Sequence, residues 1–379
     1  MATQLPKCLL LGEIEHQRAS SSAPRPKRSS RKHTDSNRTQ LVRIRPGRLA
    51  DPNNVCVDSA FTEWNSLSQF AELVEPKSKN RADFIEECRS GSLEGVVVAY
   101  RTFASFTITG RIDEELVSVL PKTLKFICHN GAGYDQLDIQ PLTERNIRVS
   151  NVPTAVDDAT ADVNMFLIIG ALRNFNIGIS ALRNREWRGK ATLGHDPQNK
   201  VLGILGMGGI GKTLKRRTDA FDMIVQYHNR RQLGPEQEGG AKYVSFDELL
   251  ATSDVISLNL PLNGHTRHII STAEFAKMKD GVVIVNTARG AVMDEAALVE
   301  ALNSGKVRSV GLDVFEEEPT VHPGLLDNPN VLLIPHMGTF TVETQTKMEV
   351  WNIENAKMAL TKGCLKSPVP EQEGITDWD

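Results

Sequence analysis

Three polar side chains in the C-terminal half of the chain each follow a short apolar run: Arg289, Glu318 and His336. A guanidinium pairs with carboxylates, an imidazole exchanges a proton near neutral pH, and a carboxylate can orient that imidazole. If the apolar runs are parallel strands, their carboxyl ends meet at one edge of a sheet, where ligands bind. The pattern therefore predicts a site that binds an anion and transfers a proton to it.

A glycine-rich turn, Gly206-Met-Gly208-Gly209-Ile210-Gly211, lies between an apolar run at 201–205 and a helical pattern at 212–221. In that context the motif is typical of dinucleotide binding. The first glycine permits the tight turn, the second lets the backbone approach the pyrophosphate, and the third lets helix and strand pack closely. The helix N-terminus then offers free N–H groups to the phosphates. A glycine-rich turn without a ligand is the less favoured alternative.

The end of the next predicted strand bears on the choice of dinucleotide. A site that prefers NAD carries an acid there, which binds the ribose hydroxyls. This chain has Asn229, followed by Arg230 and Arg231. Two arginines can hold a 2′-phosphate, and no carboxylate repels it. We therefore expect a preference for NADP with NAD still possible, the alternative being two solvated loop arginines.

Alternating apolar runs and helical patterns extend along the chain after residue 60, as in parallel α/β folds. A long helix is predicted from Asp157 to residue 172, and another over 341–363. Ser271 and Glu274 match a capping box, and Asp294 can cap a helix over 295–303. Strands are predicted at 8–12, 96–100, 124–128, 147–150, 201–205, 223–227, 255–260, 282–286, 307–314 and 331–334.

Length and composition limit the remaining possibilities. A chain of 379 residues exceeds what one core usually supports, so two domains are expected. No apolar run approaches the ~18 residues of a membrane span. The five cysteines are scattered and form no C-x-x-C pair, which favours a reducing compartment and predicts no disulfide framework and no metal site. We expect a cytoplasmic protein without a membrane partner.

One segment departs from the balanced charge of the whole chain. Between residues 17 and 50 there are ten Lys and Arg residues and one acid. This Ser-, Arg- and Pro-rich composition cannot bury enough apolar surface, so a disordered basic insertion is predicted at 17–60. It could be a targeting or nucleic-acid-binding arm, but an inert insertion or a sequence artefact is favoured. Nucleic acid is therefore an unlikely partner.

Four further stretches carry a family resemblance: His129-Asn-Gly-Ala-Gly-Tyr-Asp135, the stretch 151–162, residues 286–290 with 313–319, and Pro335-His336. With the glycine motif, the chain resembles the D-isomer-specific 2-hydroxyacid dehydrogenase family, close to its fungal glyoxylate/hydroxypyruvate reductase-like members. The resemblance covers nearly everything except 17–60. It implies a Rossmann-type doubly wound nucleotide domain (153–336) inserted in a flavodoxin-like substrate domain (1–152), to which a C-terminal helix (337–379) returns.

The resemblance also implies roles for individual residues. Arg289 would bind the substrate carboxylate and stabilise the developing oxyanion, His336 would protonate it, and Glu318 would orient the imidazole. Asp222 stands where the family usually has glycine, which predicts a stability cost rather than lost function. The predicted cofactor-binding residues are Gly206, Gly208, Gly209, Ile210, Gly211, Asn229, Arg230, Arg231, Pro261, Thr287, Ala288 and Asp313.

A second predicted set binds the substrate from the first domain. The glycines at 131 and 133 allow backbone N–H groups to approach a carboxylate. Arg101 follows a predicted strand and could reach the same cleft. The predicted substrate-binding residues are Arg101, Asn130, Gly131, Ala132, Gly133 and again Arg289.

Together these features predict an NAD(P)H-dependent reductase of a small 2-oxo acid, glyoxylate or hydroxypyruvate. The family resemblance further implies a homodimer through the helix after Asp157. One alternative is a dehydrogenase for a bulkier or phosphorylated 2-hydroxy acid. Another is a dinucleotide-sensing corepressor of the same fold.

Overall fold

The computed structural model describes residues 5–11, 63 and 66–376, and it contains two parallel sheets. The predicted insertion at 17–60 lies outside the described residues. The first sheet has the order β2-β1-β3-β4-β5, which is the flavodoxin-like order. Its strands are Lys7–Leu11 (β1), Glu72–Val74 (β2), Val96–Thr102 (β3), Phe126–Asn130 (β4) and Arg148–Ser150 (β5).

The second sheet has seven strands in the order β12-β11-β10-β9-β6-β7-β8. Apart from the added β12, this is the doubly wound order of the Rossmann fold, with its switch point between β6 and β9. The predicted fold class is therefore confirmed. The strands are Val201–Leu205 (β6), Ile224–His228 (β7), Lys242–Tyr243 (β8), Val255–Leu258 (β9), Val282–Asn286 (β10), Val307–Leu312 (β11) and Val331–Leu333 (β12).

Helices cover the faces of both sheets. In the first half they are Arg81–Arg89 (α1), Phe106–Thr109 (α2), Glu114–Val119 (α3), Ile139–Glu144 (α4), Asp157–Leu172 (α5) and Phe175–Arg183 (α6). The later ones are Gly209–Asp219 (α7), Pro235–Glu238 (α8), Phe246–Thr252 (α9), Thr272–Lys277 (α10), Glu295–Asn303 (α11), Pro323–Leu326 (α12) and Val342–Lys362 (α13).

The C-terminal helix α13 packs on the first sheet. Ile353, Ala356 and Ala359 belong to a buried cluster that also includes Cys8 of β1 and Cys128 of β4. The helix begins after Thr341, whose side chain accepts a hydrogen bond from the N–H of Thr344, and it ends at a left-handed Gly363. The predicted domain boundaries at 152 and 336 remain predictions of the sequence.

Local signals at several helix ends are confirmed by the structure. Ser271 N donates to Glu274 Oε2 at 3.2 Å, which is one half of the predicted capping box. Asp294 Oδ1 accepts from Ala297 N at 3.0 Å and so caps α11. These contacts satisfy backbone N–H groups that the first turn of a helix leaves unpaired.

Asp222 has the left-handed backbone conformation expected at a position where the family usually has glycine. Its φ is +52°, in the left-handed region. The N–H of Met223 reaches back to Thr218 O at 3.4 Å, and Asp222 N reaches Asp219 O at 3.1 Å. This bond pair is the Schellman arrangement that ends a helix, in which glycine is the usual left-handed residue.

Helix α5 packs against the second sheet and against α7, while Asp158, Asp162 and Phe166 form an exposed stripe along it. Within the described ranges, no single helix is long and apolar enough to cross a membrane. Helices α5 and α6 reach the required length and hydropathy only as a pair, and they are bent by 78° relative to each other.

Candidate active site

A cavity of about 380 Å³ opens between the carboxyl edges of the two sheets. It brings together ten of the residues predicted from the sequence. Three catalytic candidates, three cofactor candidates and the loop after β4 all reach it. These residues are Asn130, Gly131, Ala132, Gly133, Ile210, Thr287, Arg289, Asp313, Glu318 and His336.

The imidazole of His336 is bound to a carboxylate inside this cavity. His336 Nδ1 lies 2.7 Å from Glu318 Oε2, and Glu318 Oε1 accepts the backbone N–H of Phe315 at 2.9 Å. Burial would raise the pKa of Glu318, but the hydrogen bond and charge of His336, the Phe315 N–H and the charge of Arg289 together lower it. Because an ionised carboxylate only accepts hydrogen bonds, Nδ1 carries the proton and Nε2 is left for another partner.

Asp313 shapes the turn that carries His336. Its backbone oxygen accepts the N–H of His336 at 2.7 Å, and its carboxylate accepts the N–H groups of Met337 and Gly338. His336 itself has a left-handed φ of +53°, a costly conformation that these three bonds support. Burial raises the pKa of Asp313 to about 6, although the Met337 N–H and the charge of His336 act in the opposite direction.

Arg289 extends from the nucleotide domain to the loop of the substrate domain. Its Nε donates to Asp135 Oδ1 at 2.8 Å, and its Nη1 donates to Ala288 O at 2.8 Å. Gly133 lies directly against the guanidinium, since an added Cβ there would be 1.9 Å from Nη2. A side chain at position 133 would therefore displace the guanidinium of Arg289, so glycine here lets Arg289 keep its place beside the loop.

We call residues 130–133 the substrate loop. Asn151 Nδ2 donates a hydrogen bond to Ala132 O at 2.8 Å, which holds the backbone of this loop in place. Within the described part of the chain, the N–H groups of Ala132 and Gly133 donate to no protein acceptor. Both groups are thus available to an anion beside Arg289.

Arg101 is placed differently from the prediction. Its side chain is fully buried, with 0% relative exposure, and it does not line the cavity. Nη1 contacts His129 Nδ1 at 2.9 Å and Nη2 donates to Gln136 Oε1 at 2.6 Å. The prediction that Arg101 binds the substrate directly is therefore corrected. The end of β3 directs this side chain beneath the substrate loop and away from the cavity.

The glycine turn fits a dinucleotide. Gly206 has a φ of +99°, and an added Cβ would be 2.6 Å from Asn259 O. An added Cβ at Gly211 would be 2.5 Å from Gly206 O, so the helix and the strand need glycine there. At Gly208 an added Cβ would meet nothing within 4 Å, which leaves open space in front of the N-terminus of α7. A pyrophosphate has room at this position.

Asp157, the first residue of α5, is a neighbour of this turn that sequence reasoning did not include. An added Cβ at Gly209 would lie 2.2 Å from Asp157 Oδ2, so the carboxylate sits against the turn. Burial and the charge of Asp158 raise the pKa of Asp157 to about 6, against the charge of Lys212. The turn therefore has a titratable acid beside it.

The other cofactor candidates do not line the cavity. Asn229 Oδ1 accepts the N–H of Met207 at 2.7 Å and so supports the glycine turn. Arg230 and Arg231 are exposed, and neither forms an ion pair with another described residue. The predicted residues outside the lining are Arg101, Gly206, Gly208, Gly209, Gly211, Asn229, Arg230, Arg231, Pro261 and Ala288.

Thr287 is held by a buried polar cluster. Asn164 of α5 donates from Nδ2 to Ser257 Oγ and to Thr287 Oγ1, both at 2.9 Å. One amide thus joins β9 to the end of β10. This buried cluster fixes the side chain of Thr287, two residues before Arg289.

Half of the cavity lining was not predicted. Three residues lie at or directly after the end of β3, so the rule that ligands bind at the carboxyl ends of strands could have indicated them. Others come from α5 and α13, whose packing against the cleft no spacing along the chain reveals. The unpredicted lining residues are Thr102, Phe103, Ala104, Val156, Thr160, Gly338, Thr339, Gln345, Met348 and Glu349.

Comparison with known proteins shows the family of the chain. The sequence model of the D-isomer specific 2-hydroxyacid dehydrogenase NAD binding domain matches residues 165–338. The 4-methyl-2-oxopentanoate reductase A of Aspergillus oryzae is 57% identical over 319 residues, which cover 84% of this chain and 97% of that protein. The chain belongs to the D-isomer specific 2-hydroxyacid dehydrogenase family.

Two further relatives place the chain within this family. Glyoxylate reductase 1 of Saccharomyces cerevisiae is 48% identical over 324 residues, covering 83% of this chain and 92% of that protein. The crystal structure of a glyoxylate reductase from Paecilomyes thermophila superposes with a TM-score of 0.84 at 51% identity, covering 98% of this chain and 100% of that one. The family and enzyme predictions are confirmed: this 2-hydroxyacid dehydrogenase is an oxidoreductase with a nicotinamide dinucleotide cofactor.

Proposed function

We propose that this dehydrogenase reduces a small 2-oxo acid, glyoxylate or hydroxypyruvate, with NADPH. The observation that carries the proposal is the His336–Glu318 pair at 2.7 Å, in one cavity with Arg289 and the substrate loop. A cation that binds the carboxylate and a group that donates a proton, both lining one cavity, are what a 2-oxo acid needs on reduction. The names of the yeast and Paecilomyes relatives support the choice of substrate.

Each polar group of the cavity has a separate role in the reaction. When bound, the nicotinamide supplies a hydride to C2 of the 2-oxo acid. Arg289 and the free N–H groups of the substrate loop hold the substrate carboxylate and orient the carbonyl. His336 gives the proton on Nε2 to the carbonyl oxygen, and Glu318 stabilises the imidazolium before that transfer. The product is the 2-hydroxy acid, and the imidazole regains a proton from water.

The preference for NADPH rests on the end of β7. Arg230 and Arg231 are exposed cations without ion pairs among the described residues, and Asn229 replaces the acid expected for NAD. The double substitution of both arginines by alanine should raise the KM for NADPH at least about tenfold and leave that for NADH nearly unchanged. Equal effects on the two dinucleotides, or a lower native KM for NADH, would contradict this preference.

A second candidate substrate is a branched 2-oxo acid such as 4-methyl-2-oxopentanoate. Part of the lining is apolar and comes from three different elements: Phe103, Val156 and Met348. This surface could hold an aliphatic substituent, and the name of the Aspergillus relative supports the same possibility. The bulky-acid alternative therefore stays open.

Initial rates on the purified enzyme decide between these substrates. Glyoxylate, hydroxypyruvate, pyruvate and 4-methyl-2-oxopentanoate would be compared with NADPH and NADH in parallel. A higher kcat/KM for the two small acids supports the first proposal, and a higher value for 4-methyl-2-oxopentanoate replaces it with the second. No turnover with any 2-oxo acid would refute both.

We also propose that the enzyme is a homodimer that associates through α5, α6 and the segment that follows. This surface exposes several large apolar side chains that a partner subunit could cover. Light scattering of the native enzyme should give twice the mass of the chain, and Leu182→Asp should give a monomer. A native monomer would overturn the proposal. The exposed side chains are Phe166, Phe175, Ile179, Leu182, Trp187 and Leu193.

A further inference from the structure

Among the described residues, Arg101 is a buried cation with no acidic side chain in contact. Its two hydrogen-bond partners, His129 and Gln136, are uncharged groups, and its Nε has no hydrogen-bond partner in the described part of the chain. Burial lowers the pKa of Arg101 to about 10, with the charge of Asp135 acting in the opposite direction. The guanidinium therefore remains charged at neutral pH. A buried charge without an ion-pair contact is costly, and its presence calls for a role beyond packing.

The charge state of His129 is fixed by its surroundings. Because an arginine only donates hydrogen bonds, Nδ1 of His129 accepts from Arg101, and the ring proton is on Nε2. Nε2 then donates to Gly133 O at 3.0 Å. Burial and the nearby charge of Arg101 lower the pKa of His129 well below its ordinary value, so the ring is neutral. His129 thus connects Arg101 to the backbone of the substrate loop.

The substrate loop is packed between this imidazole and the catalytic guanidinium. An added Cβ at Gly131 would lie 2.7 Å from His129 Nε2, and one at Gly133 would lie 1.9 Å from Arg289 Nη2. Arg101, His129, the loop and Arg289 therefore follow one another in direct contact. The segment after the loop contacts both cations, through Asp135 to Arg289 and through Gln136 to Arg101.

We propose that Arg101 is a positioning residue for the substrate carboxylate. It holds the substrate loop through His129, and its buried positive charge attracts the carboxylate from behind the loop. This inference rests on the proposed function, in which the loop and Arg289 receive that carboxylate. Arg101 itself touches neither the substrate nor the cofactor site.

The test compares ligands with and without a carboxylate. Arg101→Met removes the charge and keeps most of the length, and Arg89→Met is the control, since Arg89 is an exposed arginine of the same domain paired only with Glu86. The readouts are the inhibition constant of oxamate, the KM of glyoxylate, the rate with the neutral ester methyl pyruvate, and the dissociation constant of NADPH.

For Arg101→Met we expect the oxamate inhibition constant and the glyoxylate KM to rise about tenfold, with the ester rate and NADPH binding nearly unchanged. The control should leave all four values unchanged. Equal losses with glyoxylate and the ester, or an unchanged oxamate constant, would overturn the proposal. If the native enzyme neither binds oxamate nor reduces any 2-oxo acid, the proposed function fails first and this inference with it.

A second variant keeps the proposal testable if Arg101→Met does not fold. Arg101→Lys retains the charge at low pH, but burial lowers the pKa of a lysine there. The ratio of its oxamate constant to the native one should therefore increase as the pH rises through the neutral range. Because His336, Glu318 and Asp135 are present in both proteins, their contribution to the pH dependence of oxamate binding cancels in the ratio. A ratio that does not change with pH would contradict a role for the charge.

Discussion

Asp135 of the substrate domain holds Arg289 of the nucleotide domain, with Oδ1 and Nε 2.8 Å apart. Both side chains are largely buried, at 21% and 23% exposure. The bond occupies Nε and leaves Nη2 beside the substrate loop. The guanidinium that is proposed to bind the substrate is therefore oriented by an acid from the opposite side of the cleft.

Asp135→Asn should raise the KM for the 2-oxo acid about tenfold and change kcat less, because a misplaced guanidinium binds the carboxylate poorly. Steady-state kinetics at saturating dinucleotide measure this split. Asp138→Asn is the matched control, since Asp138 pairs with Arg111 outside the cavity. Identical kinetics in the two variants would show that Asp135 does not orient Arg289.

His336→Ala should lower kcat by about 10²–10⁴-fold, the usual worth of a positioned proton donor. Glu318→Gln should lower kcat less and shift the pH profile. With the carboxylate removed, the imidazolium loses its stabilising charge, so the pH above which the reduction rate falls should move to a lower value. Glu317→Gln is the control, because Glu317 does not line the cavity. An unshifted profile for Glu318→Gln would contradict the assigned role.

Dinucleotide binding should weaken as the pH rises through about 6, where Asp157 beside Gly209 ionises. The negative charge then opposes the pyrophosphate. Asp157→Asn should remove this dependence and bind NADPH more tightly above that pH, measured by fluorescence titration. The exposed Asp162→Asn serves as control.

The same acid affects stability in a defined direction. Folding raises the pKa of Asp157, so the ionised carboxylate destabilises the native state, and its contribution becomes more favourable as the pH falls from about 6 toward its ordinary pKa. Asp157→Asn should therefore raise the free energy of unfolding above pH 6. If the NADPH affinity of the native enzyme does not vary across pH 6, the assignment of Asp157 as the acid that ionises beside the dinucleotide is refuted.

Asp222→Gly should stabilise the enzyme by about 0.5–1 kcal/mol, because glycine takes a left-handed φ without strain. Thermal unfolding should show a higher Tm, with kcat/KM unchanged. Ala220→Gly is an internal control, since Ala220 has a right-handed φ of −68° and should lose stability as glycine. A lower Tm for Asp222→Gly would mean that its side chain makes a contribution larger than the strain.

Much of the fold could be predicted from the sequence, because the central strands are continuous apolar runs. The ten predicted strands are all present, with ends that differ by at most two residues. The two that were missed, Glu72–Val74 and Lys242–Tyr243, are short edge strands with few apolar residues. Edge strands pair on one side only, so their sequences carry a weaker signal.

The catalytic part of the site could be predicted because His336, Glu318 and Arg289 follow strand ends, and all three reach the cavity. Arg101 was placed in the cleft because it also follows an apolar run, but β3 continues to Thr102 and directs the side chain inward. Gln345, Met348 and Glu349 line the cavity from α13. Their position depends on the packing of a helix that lies some two hundred residues after the substrate loop in the sequence. No local sequence pattern indicates that packing.

The segment after β3 lines the cavity from the substrate domain. Phe103 lies 5.5 Å, ring centre to ring centre, from His336, and Ala104 follows it. Coding changes confined to these neighbouring positions can therefore alter which 2-oxo acid is accepted while the dinucleotide half stays intact. Gene duplicates of this enzyme have a short evolutionary route to new substrates, and a saturation library at positions 103 and 104 would explore it.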